Sequence, residues 1–149
     1  MLVKEVMTTE VIIVGPNDSV EECSRLLFEN NISGLPVVDE EGTVVGMVTE
    51  GDLIRRAARI KAPGYLEILG GQIFLGNPNK FVQEIQRAMS YRAGDLMTDK
   101  VISINPDETI EEAATQMLNQ GVSRLPVLDE NQKLVGILSR RDVMQALYN

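Results

Sequence analysis

The chain has 149 residues, 44% of them hydrophobic and 24% charged, enough for one compact domain or two small lobes that share a core. A net charge of −8 and a pI near 4.6 give a surface that repels nucleic-acid phosphates and anionic membranes. There is no histidine and only one cysteine, Cys23, which removes the usual zinc ligands, general base and activated nucleophile. No apolar run is long enough to span a bilayer and no basic-then-apolar leader opens the chain, so the expectation is a cytoplasmic protein that meets neither membrane nor nucleic acid.

The first predicted strand is Val11-Ile12-Ile13-Val14, stopped by Pro16. Ser19-Val20-Glu21-Glu22 then matches a capping box, in which hydroxyl and carboxylate satisfy each other's backbone amides, and opens a helix with Val20, Cys23 and Leu27 on one stripe. On that stripe Cys23 reads as a small buried hydrophobe rather than a redox thiol. Asn31, suited to a left-handed cap, ends the helix. An extended segment over Ile32–Val38, a turn at Asp39–Gly42 and a strand over Val44–Val48 follow, and Thr49-Glu50-Gly51-Asp52-Leu53 begins a second helix.

After a connector the same order returns. Val6–Leu53 aligns with Leu96–Val143 at a constant offset of 90 residues without a gap, and sixteen of the 48 aligned positions are identical. Among them are Met7/Met97, Pro16/Pro106, Leu35/Leu125, Pro36/Pro126, Gly46/Gly136 and Asp52/Asp142. The second helix start is Thr109-Ile110-Glu111-Glu112, its apolar stripe is Ile110, Ala113, Met117 and Leu118, and Gly121 stands where Asn31 does. Two copies of one supersecondary unit point to halves that bury their apolar faces on each other, and such an interface creates a related pair of clefts. The expected fold is α+β: two β-α-β-β-α repeats related by a pseudo-two-fold axis, with three-stranded sheets packed face to face and helices outside. The expected divisions are repeat one over 1–58, a connector over 59–91 and repeat two over 92–149.

The pattern h-S-x-L-P-V-h-D … h-V-G-h-h-[TS]-x-x-D-h, present as Ile32–Asp39 with Val44–Leu53 and again as Val122–Asp129 with Leu134–Val143, resembles the CBS domain, named for cystathionine β-synthase. The tandem arrangement resembles the CBS pair, or Bateman module. That resemblance implies a sensor for AMP, ADP, ATP or S-adenosylmethionine, bound in the clefts between repeats, with Mg compatible as a companion of the phosphates. By position, Asp52 and Asp142 match the aspartate that accepts hydrogen bonds from a ribose diol. Thr49 and Ser139 match the hydroxyl near ribose and phosphate, and Ile32-Ser33-Gly34 and Val122-Ser123-Arg124 match the strand that holds adenine. The same Thr49…Asp52 and Ser139…Asp142 spacing is also that of an ordinary capping box. A homodimer and an effector protein are implied by the resemblance as well.

The copies differ in charge around these positions. Lys100, Arg124, Arg140 and Arg141 correspond to Glu10, Gly34, Glu50 and Gly51. The expectation is that the Asp142 site takes the phosphorylated ligand, chelated by guanidinium groups, while the Asp52 site is empty or takes a neutral or cationic one. The connector carries a basic run, Arg55–Lys61, then an apolar cluster including Tyr65, Ile68, Phe74 and Leu75, and a helix start at Asn77-Pro78. It reads as a cover for a sheet edge or a clasp for a second chain. The alternative function is a ligand-free interaction module that works through this connector and a dimer surface. An enzyme is disfavoured by the missing histidine and the absence of any catalytic constellation in the sequence.

Overall fold

The computed structural model describes residues 1–58 and 91–149; the expectations for the 59–91 connector lie outside the described residues, apart from its last position, Tyr91. In chain order the elements are α1 (Val3–Val6), α2 (Val20–Glu29), β1 (Gly34–Val38), β2 (Val44–Thr49), α3 (residues 50–58), α4 (Ala93–Leu96), α5 (Ile110–Gln120), β3 (Arg124–Leu128), β4 (Leu134–Ser139) and α6 (Arg140–Tyr148).

Each repeat centres on an antiparallel hairpin, β1 with β2 and β3 with β4, and the two share one register. Leu35 faces Val48, Leu125 faces Leu138, and all four are fully buried. The expected strand before α2 shrinks to a single parallel bridge, Val14 to Val37, and Ile104 to Val127 in the second repeat. Pro16 and Pro106 follow two residues later, which keeps this third sheet member short. The Ser19 hydroxyl accepts from the Glu22 N–H at 3.1 Å and Thr109 from the Glu112 N–H at 3.2 Å, so α2 and α5 start where the caps predict. The reciprocal half of the box is not made at Glu22, whose carboxylate turns to Arg25. Asn31 (φ 51°) and Gly121 (φ 67°) both adopt the left-handed conformation expected at the helix end. Cys23 is fully buried, and desolvation pushes its thiol up to about 11, which keeps it protonated and inert. Leu118 departs from its expected stripe. It is 77% exposed, because only Ile110, Ala113 and Met117 face the sheet.

The segment leading into each repeat packs on the other one. Val3, fully buried, belongs to the core formed by Ile104, Ile110, Ala113, Met117, Leu125, Val127, Leu138 and Val143. Ala93, equally buried, belongs to the core of Val14, Cys23, Leu27, Leu35, Val37 and Val48. The backbone follows the same exchange. Val3 and Lys4 donate to the Glu108 and Pro106 carbonyls, while Ala93 and Gly94 donate to those of Asp18 and Pro16. Thr8 exchanges both backbone hydrogen bonds with Ile137 at 2.9 Å, and Thr98 does so with Met47 at 2.9 and 3.0 Å.

This close approach accounts for two of the sequence identities. A Cβ at Gly46 would lie 2.5 Å from Met97 Sδ and 2.9 Å from the Thr98 carbonyl oxygen. A Cβ at Gly136 would lie 2.5 Å from Met7 Sδ and 3.0 Å from the Thr8 carbonyl oxygen. Each Gly–Met pair is therefore one joint between repeats, made twice. The hairpin ends add another contact where Lys133 Nζ donates to the Glu41 carbonyl at 2.8 Å.

Because Val3 fills the second repeat's core, Val3→Ala should cost about 2 kcal/mol by lost transfer energy plus cavity. Denaturant unfolding checks this; a loss below about 0.5 kcal/mol would mean the first turn is not part of that core.

Candidate functional site

A cleft of about 590 Å³ lies between the repeats. Repeat one gives it the end of β2 and the start of α3, through Met47, Thr49, Glu50, Gly51 and Arg55. Repeat two gives it the lead-in residues Thr98, Lys100 and Ile102, and the start of β3 with Gly121, Val122, Ser123 and Arg124. Ser33 closes it near the pseudo-two-fold axis. The exchange of lead-in segments explains this mixture. The pairing of Thr98 with Met47 lays residues 98–102 of repeat two beside the helix start of repeat one. With alternate residues of an extended segment facing one way, Thr98, Lys100 and Ile102 share the cleft side.

The expected grouping of basic residues around Asp142 is thereby corrected. Lys100, Val122, Ser123 and Arg124 share a cleft with Thr49, with Asp52 directly behind it, although Arg124 also pairs with Ser139 in the β3–β4 hairpin and feels the field of Asp142. Arg140 and Arg141 are exposed and absent from this lining, and Arg140 Nε donates to the Val122 carbonyl at 3.3 Å. By the 90-residue offset, Ser139, Arg140, Arg141 and Asp142 belong with Thr8, Glu10, Ile32, Ser33 and Gly34 around the related cleft, and the bridge from Thr8 to Ile137 anchors that side. Arg140 and Arg141 thus lie outside the cleft that holds Lys100 and Arg124. Also in that cleft is Arg55, which the sequence reading had placed only in a basic helix tail.

Both candidate carboxylates cap helices. Asp142 Oδ2 accepts from the Ser139 N–H at 2.9 Å while the Ser139 hydroxyl accepts from the Asp142 N–H at 3.2 Å. Asp52 Oδ2 likewise accepts from the Thr49 N–H at 2.9 Å and the Thr49 hydroxyl at 3.1 Å. Asp52 goes further: its Oδ1 takes Arg55 Nη2 at 2.6 Å, with the Thr98 hydroxyl 3.5 Å away. Capping leaves a carboxylate with spare lone pairs, so the cap does not prevent further recognition.

Arg124 crosses between the repeats. Its Cδ would lie 3.2 Å from a Cβ on Gly34, and its Nε donates to the Ser33 hydroxyl at 2.9 Å. Burial pulls its guanidinium below the ordinary arginine value, and the fields of Asp142 and Glu50 oppose that shift. A half-buried cation held between two carboxylates, with a cleft on one side, is placed to meet an anionic ligand.

The CBS-domain family model matches residues 3–59 and 93–149. The chain belongs to the CBS-domain family. Its tandem arrangement is that of the CBS pair. It is 31% identical over 99% of its length to the uncharacterized protein MJ1426 of Methanocaldococcus jannaschii, 91% of which is covered. It is 34% identical over 90% of its length to the chloroplastic CBS domain-containing protein CBSX1 of Arabidopsis thaliana, of which it spans 58%. Among solved structures, CBSX2 of the same plant in complex with AMP superposes with a TM-score of 0.74 and 30% identity, covering 98% of this chain and 95% of that one.

Proposed function

We propose that this CBS pair is a non-enzymatic regulatory module that binds an adenine nucleotide, with AMP the first choice, in the cleft between Thr49 and Arg124. The observation that carries the reading is the joint lining of that cleft. Three cations, Arg55, Lys100 and Arg124, against one carboxylate, Glu50, and four hydroxyls, Ser33, Thr49, Thr98 and Ser123, surround a space of about 590 Å³ beside the buried carboxylate of Asp52. Cations suit phosphate, a carboxylate suits a vicinal diol, and the apolar Met47, Ile102 and Val122 suit a base. The AMP complex of CBSX2 supports the ligand class. The absence of histidine from the sequence supports a role without chemistry. The binding residues in this proposal are Ser33, Thr49, Asp52, Arg55, Lys100, Val122, Ser123 and Arg124, with Ser139, Asp142, Ile32 and Gly34 at the related cleft.

Thermal unfolding against AMP, ADP, ATP and S-adenosylmethionine tests this. A ligand at about 100 times its Kd should add about 2.7 kcal/mol of stability. The gain with AMP should fall sharply in Lys100→Ala and persist in Arg140→Ala. No stabilisation by any of the four compounds would contradict the proposal and favour a ligand-free interaction module.

The module is further proposed to act as a homodimer through its helical faces. Phe28 and Leu118 are 83% and 77% exposed at equivalent positions of α2 and α5, and Ile54 and Met144 are exposed at equivalent positions of α3 and α6. Apolar side chains exposed on both repeats form a surface that a second copy of the chain would cover with its own. In sedimentation, the Phe28→Glu/Leu118→Glu chain should run as a monomer where the wild type runs as a dimer; a monomeric wild type would overturn this assignment.

A further inference from the structure

Asp52 and Asp142 perform the same capping task, yet only one of them is covered. Asp52 is 7% exposed, while Asp142 is half-buried. Two groups lie on the Oδ1 of Asp52: one helical turn onward Arg55 Nη2 donates to it at 2.6 Å, and the Thr98 hydroxyl is 3.5 Å from it. That oxygen is the one the cap leaves over, because Oδ2 already serves Thr49. The Arg55 guanidinium lies across Gly51, where a Cβ would come within 3.3 Å of Nη1. In the second repeat the corresponding residues are Arg141 and Gln145, and among the described residues no donor reaches Asp142 Oδ1. The cap at Ser139 forms all the same, so neither Gly51 nor Arg55 is needed to start the helix.

We propose that Arg55 gates Asp52, so that this cleft admits adenosine compounds carrying an anionic group and rejects uncharged ones. The inference rests on the adenosine-binding reading and adds a selectivity mechanism to it. Because Asp52 is 7% exposed, a neutral nucleoside that brings hydroxyls to it has to push the covering guanidinium off Oδ1 and leave it beside Lys100 and Arg124, two further cations in a cleft whose lining holds one carboxylate, Glu50. A phosphate gives Arg55 a second anion to turn to. Its side chain is 62% exposed and lies in the cleft lining, so the exchange needs only a rotamer change. Breaking the ion pair is then offset by the ligand itself, and selection follows from differential affinity for the covered and uncovered carboxylate. The related cleft has Gln145 in place of Arg55, and so carries no such gate.

Titrations with AMP and with adenosine, followed by NMR at the methyl groups of Met47 and Ile102, read this cleft apart from its relative. In Arg55→Gln the AMP affinity should fall roughly tenfold or more, and adenosine should bind several-fold more tightly than to the wild type. The opposite signs are the diagnostic result. An arginine that only contacts phosphate would weaken AMP and leave adenosine unchanged, and an arginine that only supports the helix would weaken both. Either outcome overturns the gate while leaving nucleotide binding intact. Failure of AMP and adenosine alike to perturb these methyls in the wild type would overturn both the gate and the reading beneath it.

Discussion

The reciprocal docking of the two lead-in segments is the constraint on which the rest of the structure depends. Neither hairpin with its helices closes a core by itself: the first needs Ala93 and the second needs Val3. The backbone bonds between Thr8 and Ile137, and between Thr98 and Met47, continue each sheet into the other repeat. They run so close that Gly46 and Gly136 cannot carry a side chain without pushing back Met97 and Met7. The exchange also determines what each cleft is made of. Because residues 98–102 lie on repeat one, the β3 start that follows them in the fold meets the α3 start, and a ligand there touches both repeats. A ligand that bridges two halves with a shared core has a direct means of biasing their relative position.

The repeats keep a common frame and differ around it. Many identities between repeats are packing and capping residues: the Gly–Met joints, Leu35/Leu125 and Val37/Val127 in the cores, and the aspartates of the helix caps. Some of the differences that change charge fall at the cleft, where Lys100, Arg124 and Arg55 stand opposite Glu10, Gly34 and Gln145 of the other copy. A duplicated scaffold can keep its frame while its two sites diverge, because cleft residues contribute little to the shared core. Arg124 goes furthest in this direction. It reaches across the pseudo-two-fold axis over Gly34, a space open only because its counterpart there has no side chain.

Much of this was readable in the sequence, for physical reasons that act locally. The hydroxyl caps at Ser19 and Thr109, the left-handed ends at Asn31 and Gly121, and the turn at Asp39–Gly42 all follow from neighbours within a few residues. The pairing across repeats was not local, and a one-dimensional repeat does not say whether a segment docks on its own copy or on the other. Hence Lys100 was assigned to Asp142, its neighbour in sequence order, when the fold carries it to Thr49, and Arg124, still beside Ser139 in its hairpin, reaches into the same cleft. The identities Met7/Met97 and Gly46/Gly136 were the available signal, a long flexible side chain and a missing one kept in both copies, but either can be explained singly. Arg55 escaped notice because a basic residue in a basic run reads as solvated surface, and only the fold shows the carboxylate one turn back and the cations arriving from the other repeat.

A crystal structure of the chain grown with AMP tests most directly the claim that each cleft is built from both repeats. The account predicts the adenine between Met47, Ile102 and Val122, the ribose at Asp52, and the phosphate held jointly by Arg55 from one repeat and Lys100 from the other. A phosphate gripped instead by Arg140 and Arg141, with the ribose on Asp142 and the Thr49 cleft empty, would contradict it.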